Sequence, residues 1–264
     1  MNYFDNEEVI IDFFRSTALK REVIYPLRTL GAMRAFNSIF SPHKWKLWHS
    51  SNGKDDPPPD FYSDKLKIMM EVMRVDDHSR VDESQKWSNP TNKRESQLQK
   101  ELKENGFLDA FPNVRGIFVN AITDLPTNED HNYKFYYSGF QHTLKKHIKK
   151  ISLYRKNHPG CKLIFFVFDE SSGYVQADDK NLVVRGVKPG EAFGYHPYLH
   201  FLDKRFVDIF KNEDIDYLIW YSPFKHFESE NPLRIPTVCV YDVKRYNYKH
   251  VREFPEEYIL STEC

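Results

Sequence analysis

Two carboxylates carry the strongest chemical signal in the chain. Asp60 follows the prolines at 57, 58 and 59, and Glu71 comes eleven residues later inside a strand-like run. Side chains alternate faces along a strand. Leu66, Ile68, Met70 and Val72 fall on one parity, and Met69, Met73 and Val75 on the other. Both faces are apolar, the pattern of a central strand covered on both sides. An unpaired charge in such a place costs several kcal/mol. Glu71 therefore needs a proton, an arginine or a cation. If Asp60 converges on the same point, the pair forms a hard oxygen-ligand site suited to Mg²⁺ or Mn²⁺. The plainer reading makes Asp60 a turn cap and pairs Glu71 with Arg74, Arg28 or Arg34.

The elements that must hold this pair can be read from the pattern. Glu7 to Phe14 has helical character. Thr17 to Phe40 is mostly helical by spacing, with Pro26 at a start or kink, Gly31 weakening its interior and Pro42 ending it. KWKLWH, Lys44 to His49, alternates and is expected as a strand, antiparallel to a second strand over Leu66 to Val75. The loop between them delivers Asp60. Asn92 to Asn105 is a charged helix closed by Gly106. Val114 to Ile122 is an expected strand and 125–132 a loop. Gly139 to Asn157 is an expected helix with an apolar stripe of Phe140, Leu144, Ile148 and Ile151, and its lysines largely off the stripe. The Pro-Gly pair at 159 and 160 stops it, and Lys162 to Phe168 is a buried strand. Val183 to Arg185 is short and extended, Leu199 to Phe210 helix-like, and Tyr217 to Tyr221 and Thr237 to Tyr241 are strands.

Composition narrows the function classes. Lys and Arg number 38, as do Asp and Glu, so no global field favours a polyanion. Cys161, Cys239 and Cys264 lack metal-finger spacing and suggest a reducing compartment. The start of the chain carries no basic region before an apolar core, so neither a signal peptide nor a membrane span is expected, and the expected location is cytoplasmic. No P-loop, dinucleotide fingerprint or G-x-S-x-G elbow is present. His196 and His200 are four apart, but Pro197 intervenes and no zinc-protease signature accompanies them. Asp169 and Glu170 at the end of the buried strand are read as a charged terminus, and the lysines from 145 to 156 as a solvated helix face. No linker divides the chain. One α/β domain over 1–264 is expected, a mixed central sheet flanked by helices, with a core over about 17–169 and a C-terminal extension over about 170–264.

The succession helix, strand, loop with Asp60, strand with Glu71, strand, basic helix, buried strand resembles the core of the PD-(D/E)xK, or restriction-endonuclease-like, nuclease superfamily. The matching residues are Pro59-Asp60 and, after ten intervening residues, Glu71-Val72-Met73, and the resemblance spans roughly Thr17 to Asp169. It implies metal-dependent hydrolysis of phosphodiester bonds in DNA or RNA. Asp60, Glu71 and the backbone carbonyl of Val72 would hold Mg²⁺ or Mn²⁺, with Glu22 as a further acid from the first helix. The family's third signature position is lysine, and here it is Met73. A thioether neither orients water nor offsets charge. Lys145 and Lys149 are the expected substitutes, and Lys145, Lys146, Lys149 and Lys150 the expected phosphate-tracking surface. The alternative is a catalytically silent relative that binds nucleic acid or protein.

Overall fold

The computed structural model describes residues 4, 6–18, 20–51, 57–81, 86–107, 110, 131–177, 195–225 and 236–262. The expected strand over 114–122 and the extended segment 183–185 lie outside these residues. In chain order come α1 (Glu7–Thr17), a 3-10 turn (Lys20–Glu22), β1 (Val23–Ile24), α2 (Leu30–Phe40) and α3 (Pro42–Trp45). Then follow β2 (His49–Ser50), β3 (Phe61–Ser63), β4 (Ile68–Val75), the hairpin strands β5 (Arg80–Val81) and β6 (Trp87–Ser88), and α4 (Pro90–Glu104). The helices α5 (Tyr133–Ile148) and α6 (Ile151–Asn157) lead into β7 (Lys162–Asp169), β8 (Tyr174–Ala177) and β9 (Tyr195–Pro197). A 3-10 turn (His200–Leu202), α7 (Lys204–Val207), β10 (Tyr217–Tyr221), β11 (Val238–Asp242), a further 3-10 turn (Glu256–Tyr258) and β12 (Ile259–Ser261) complete the order.

The fold is α/β around a seven-stranded mixed sheet in the order β1-β11-β10-β7-β4-β3-β2. β4, β7 and β10 run parallel at its centre, and β2, β3 and β4 form an antiparallel meander. β7 is buried along Leu163–Asp169, as its continuous apolar run requires. The two parities of β4 face two cores. Ile68, Met70 and Val72 pack with α1 and α2, while Met69, Met73 and Val75 pack with α5, α6 and α7. The C-terminal region supplies β10 and β11 and so completes the central sheet.

Several elements differ from the expected ones for local reasons. The segment from Thr17 to Phe40 is not continuous helix. Val23 and Ile24 pair with β11 instead, and α2 starts only at Leu30, where the Thr29 side chain accepts from Ala32 N at 3.0 Å. Gly31 has a packing role: a Cβ there would meet Tyr217 Oη at 2.5 Å, so glycine lets α2 approach the sheet closely. KWKLWH opens as a helical turn behind Pro42 rather than as a strand. Trp45 and Trp48 are three apart, a spacing that serves one helical turn, and Trp45 packs on Phe61. The expected helix over 139–157 begins earlier, at Tyr133 behind the Asn132 cap, and divides at Lys149–Lys150 into α5 and α6. Leu199–Phe210 breaks similarly into a 3-10 turn and α7 at Asp203, whose side chain caps Arg205 N.

Phe14 anchors α1 to the sheet through edge-on contacts with Phe166 and Tyr221, and to α2 through Phe36 and Phe40. Truncating such a ring leaves a cavity that a packed interior fills only in part. Phe14→Ala is expected to lower unfolding stability by about 3–5 kcal/mol, measured by urea titration. A loss below about 1 kcal/mol would mean that α1 is not docked as described.

Candidate functional site

β3 pairs with β4 only at Ile68, Met69 and Met70. One step further, the antiparallel register brings Asp60 beside Glu71. Past that point the outer edge of β4 has no strand partner among the described residues, and Asp60 covers its start. The Asp60 Oδ2 atom accepts a hydrogen bond from Val72 N at 2.7 Å. In an extended strand the N–H and C=O of one residue point to the same edge, so the Val72 carbonyl faces the Asp60 side as well. Two hydrogen bonds hold the segment that carries the aspartate. Ser51 N donates to Asp60 O at 2.7 Å, and Asn157 Nδ2 at the end of α6 donates to Pro58 O at 2.7 Å.

Glu71 projects from the opposite parity to Val72, toward α5 and α6, and is 3% exposed. Its Oε1 accepts from Tyr154 Oη at 2.6 Å and from His147 Nδ1 at 2.6 Å. His147 donates in this contact when its hydrogen is on Nδ1. Burial and the charge of Glu71 raise the Tyr154 hydroxyl far above the ordinary phenol range, so it stays a donor. Glu71 Oε2 is buried and accepts no hydrogen bond. Half of this carboxylate is clamped and half is left with an unmet need for a donor or a cation.

The two acids feel each other. Asp60 is pushed up from 3.8 to about 8, first by burial and next by the negative charge of Glu71. Val72 N–H and the Lys150 charge pull the other way, and Glu7 adds to the upward push. With no cation the pair keeps a proton near neutral pH. A divalent ion would replace that proton and let both groups ionise. The donor set fits Mg²⁺ or Mn²⁺: two carboxylates, one oxygen of which lacks a partner, with a backbone carbonyl on the same edge.

A cleft of about 450 Å³ is lined by Glu7 and Ile10 of α1, Val72, Met73 and Arg74 of β4, and His142, Thr143, Lys146 and His147 of α5, with Phe4 and Trp87; Asp60 and Glu71 do not line it, and it adjoins them through their hydrogen-bond partners Val72 and His147. It forms where residues of α1 and α5, helices on opposite faces of the sheet, meet residues 72–74 of β4. The indole of Trp87 stacks on His142 with centroids 4.4 Å apart. Lys146 is the ammonium in this lining, while Lys150 acts on Asp60 from the start of α6. Lys145 and Lys149 are exposed and do not line the cleft. They belong to a different stripe of the helix from Lys146 and Lys150, which are four apart.

Glu22 lies elsewhere. Its carboxylate accepts from Thr237 Oγ1 at 3.0 Å beside β1. β1 is four strand spacings from β4, roughly 19 Å at about 4.8 Å per strand. The acid that α1 brings to the cleft is Glu7. Arg74 pairs with Glu170 at 2.7 Å. Asp169 is fully buried and accepts from Tyr136, Trp220 and Ser222 on one oxygen and from Ser171 on the other, with Lys225 3.3 Å away. That network pins β7 to α5 and β10. His200 is buried in the same region and pushed down to about 3, first by burial and then by Lys225.

Comparison with protein-family models, with curated proteins and with solved structures finds no match to this chain. No helix among the described residues is long and apolar enough to cross a membrane.

Proposed function

We propose that the chain is a divalent-metal-dependent nuclease that hydrolyses phosphodiester bonds of DNA or RNA, built on a PD-(D/E)xK-like arrangement of Asp60 and Glu71. The observation that carries this reading is the buried Glu71 Oε2, without a donor, near an aspartate pushed up to about 8 first by burial and next by the charge of Glu71. The order of elements supports it too. An antiparallel meander carries both acids, helices α5 and α6 cross over, and β7 returns parallel to β4.

Mg²⁺ or Mn²⁺ bound by Asp60, Glu71 and the Val72 carbonyl would polarise the scissile phosphate and lower the pKa of an attacking water. The chain's own residues do the rest. His147 and Tyr154 hold Glu71 in one rotamer, so its free oxygen is presented rather than searching. Lys146 places a positive charge on the cleft wall, where a thioether stands at Met73 in the signature position. An ammonium there offsets charge developing on the phosphoryl oxygens. Lys150, close enough to act on Asp60, extends the positive edge along the helix.

Plasmid nicking or cleavage of labelled oligonucleotides in Mg²⁺ and in Mn²⁺ tests the proposal, and an absence of cleavage across both metals and both nucleic acids removes it. Within that assay Lys146→Ala is expected to lower the rate about tenfold or more, the size of a lost charge contact of 1–2 kcal/mol. Lys145→Ala and Lys149→Ala are expected to change it less than about twofold, because an exposed charge off the cleft is screened at physiological salt. Equal effects at all three lysines would make the contribution a diffuse field.

Met73 favours a second reading, a nuclease-like fold that binds nucleic acid or protein without cutting it. A chain that shifts an oligonucleotide without cleaving it, and whose binding survives Asp60→Asn, would establish that reading.

A further inference from the structure

A second group of ligating side chains lies beyond the C-terminal end of β4. Asp77 and His78 follow the strand there, and His131 stands one residue before Asn132, the cap of α5. Asp77 is fully buried. Its Oδ2 accepts from Ser172 N at 3.1 Å, Ser172 Oγ at 2.7 Å and Tyr174 Oη at 2.7 Å. Its Oδ1 accepts no hydrogen bond. That oxygen lies 3.4 Å from His131 Nδ1 and 3.8 Å from His78 Nε2, and the three ligand atoms all fall within 4.8 Å of one another.

The 3.4 Å separation suits a common ion and the 3.8 Å one is slightly long for it. Around a tetrahedral centre with bonds of about 2.0–2.2 Å, ligand atoms stand about 3.3–3.6 Å apart. A buried carboxylate oxygen facing two imidazole nitrogens also matches a soft-to-borderline cation better than Mg²⁺, which prefers oxygen throughout. We propose that Asp77, His78 and His131 bind Zn²⁺, with water in the fourth position.

Supporting contacts hold each part in place. Ser172 and Tyr174 fix the other oxygen of Asp77, as partners outside the ligand set do at zinc centres. Asp76 Oδ1 accepts from His78 N at 3.0 Å and from Ser79 N at 2.9 Å, and Asn89 Nδ2 donates to Asp76 Oδ2 at 2.8 Å. The rings of His78 and His131 meet edge to face with centroids 4.6 Å apart. Zinc here ties the exit of β4 and the Ser172–Tyr174 segment to the beginning of α5. This site is independent of the nuclease reading, which concerns the all-oxygen pair at Asp60 and Glu71.

The test is a calorimetric titration of the metal-stripped full chain with Zn²⁺ in excess Mg²⁺, repeated with Co²⁺ for its visible absorption bands. One Zn²⁺ per chain is expected, retained when Asp60→Asn and Glu71→Gln silence the other pair. His78→Ala and His131→Ala are each expected to weaken binding by more than about a hundredfold, beyond the loss typical of a supporting residue. No zinc uptake by the wild-type chain in Mg²⁺, or uptake unchanged in both histidine variants, overturns the proposal and leaves the trio an Asp–His ion pair. The wild-type titration decides the first point without reliance on any variant.

Discussion

Asp60→Asn and Glu71→Gln are each expected to reduce the proposed metal-dependent phosphodiester cleavage by about 10³-fold or more, with both chains still folded. The magnitude follows from the proposed role. Charge stabilisation of several kcal/mol at the scissile phosphate depends on both acids being ionised together, and each 1.36 kcal/mol is about a decade in rate. Folding should survive because the substitutions keep the acceptors. Asparagine still offers an oxygen to Val72 N, and glutamine still offers one to Tyr154 and His147. The measurement is initial rate in Mn²⁺, alongside circular dichroism of each variant. Activity within tenfold of wild type in either variant would be incompatible with the site as described. Tyr154→Phe would be a milder lesion, since it removes one of two hydrogen bonds that orient Glu71 and leaves the charge.

The second large effect is on stability and appears without any substrate. Asp60 is held up at about 8 in the folded chain by burial and by Glu71, against 3.8 ordinarily. The unfolded chain loses that proton near pH 4, and the folded chain keeps it to about pH 8. Between those limits the folded state binds the extra proton, so raising pH removes stability, and the loss levels off above about 8. In chelator the slope approaches 1.4 kcal/mol per pH unit, on the order of several kcal/mol across the window. Urea unfolding at pH 5.5 and pH 8.5 reads it directly. Asp60→Asn is expected to flatten that dependence, because asparagine has nothing to titrate. Mn²⁺ is expected to reverse it, since the ion binds the ionised pair and gains affinity as pH rises toward 8. Groups with depressed values act at the other end. Asp216, held at about 2 despite its burial by Leu163 N–H, Arg155 and Lys162, keeps its contribution until the solution is strongly acidic. If wild type and Asp60→Asn show the same slope from pH 5.5 to 8.5, the two carboxylates are not coupled.

Local pattern carried some of the architecture a long way. The charged helix ending at Gly106 forms as Pro90–Glu104, and Gly106 takes the positive φ of 64° that such a terminus favours. The largely apolar runs expected at 66–75, 162–168 and 217–221 form strands of the central sheet, the first of them from Ile68, because such stretches are stable where both faces are covered. Short elements were less legible. The two tryptophans in KWKLWH satisfy either period over so few residues, and the contact with Phe61 decided between them.

What the sequence by itself determined is that an acid stands inside an oily central strand, with an aspartate delivered just before it, in a mixed α/β chain. What only the tertiary structure decided is the company those acids keep. His147 and Tyr154 are seven apart and come from two helices separated by a break at Lys149–Lys150, so no single helical stripe announces them. Glu7 looks like an ordinary acid in the first turn of a helix. Lys146, rather than Lys145, lines the cleft because of the rotation of α5 about its axis where it packs on β4. The reason is general to the physics. Periodicity reports which face of an element is buried, a property of neighbours along the chain. Which side chains share a cleft depends on how distant elements cross, and that is settled only when the cores on the two faces of the sheet pack.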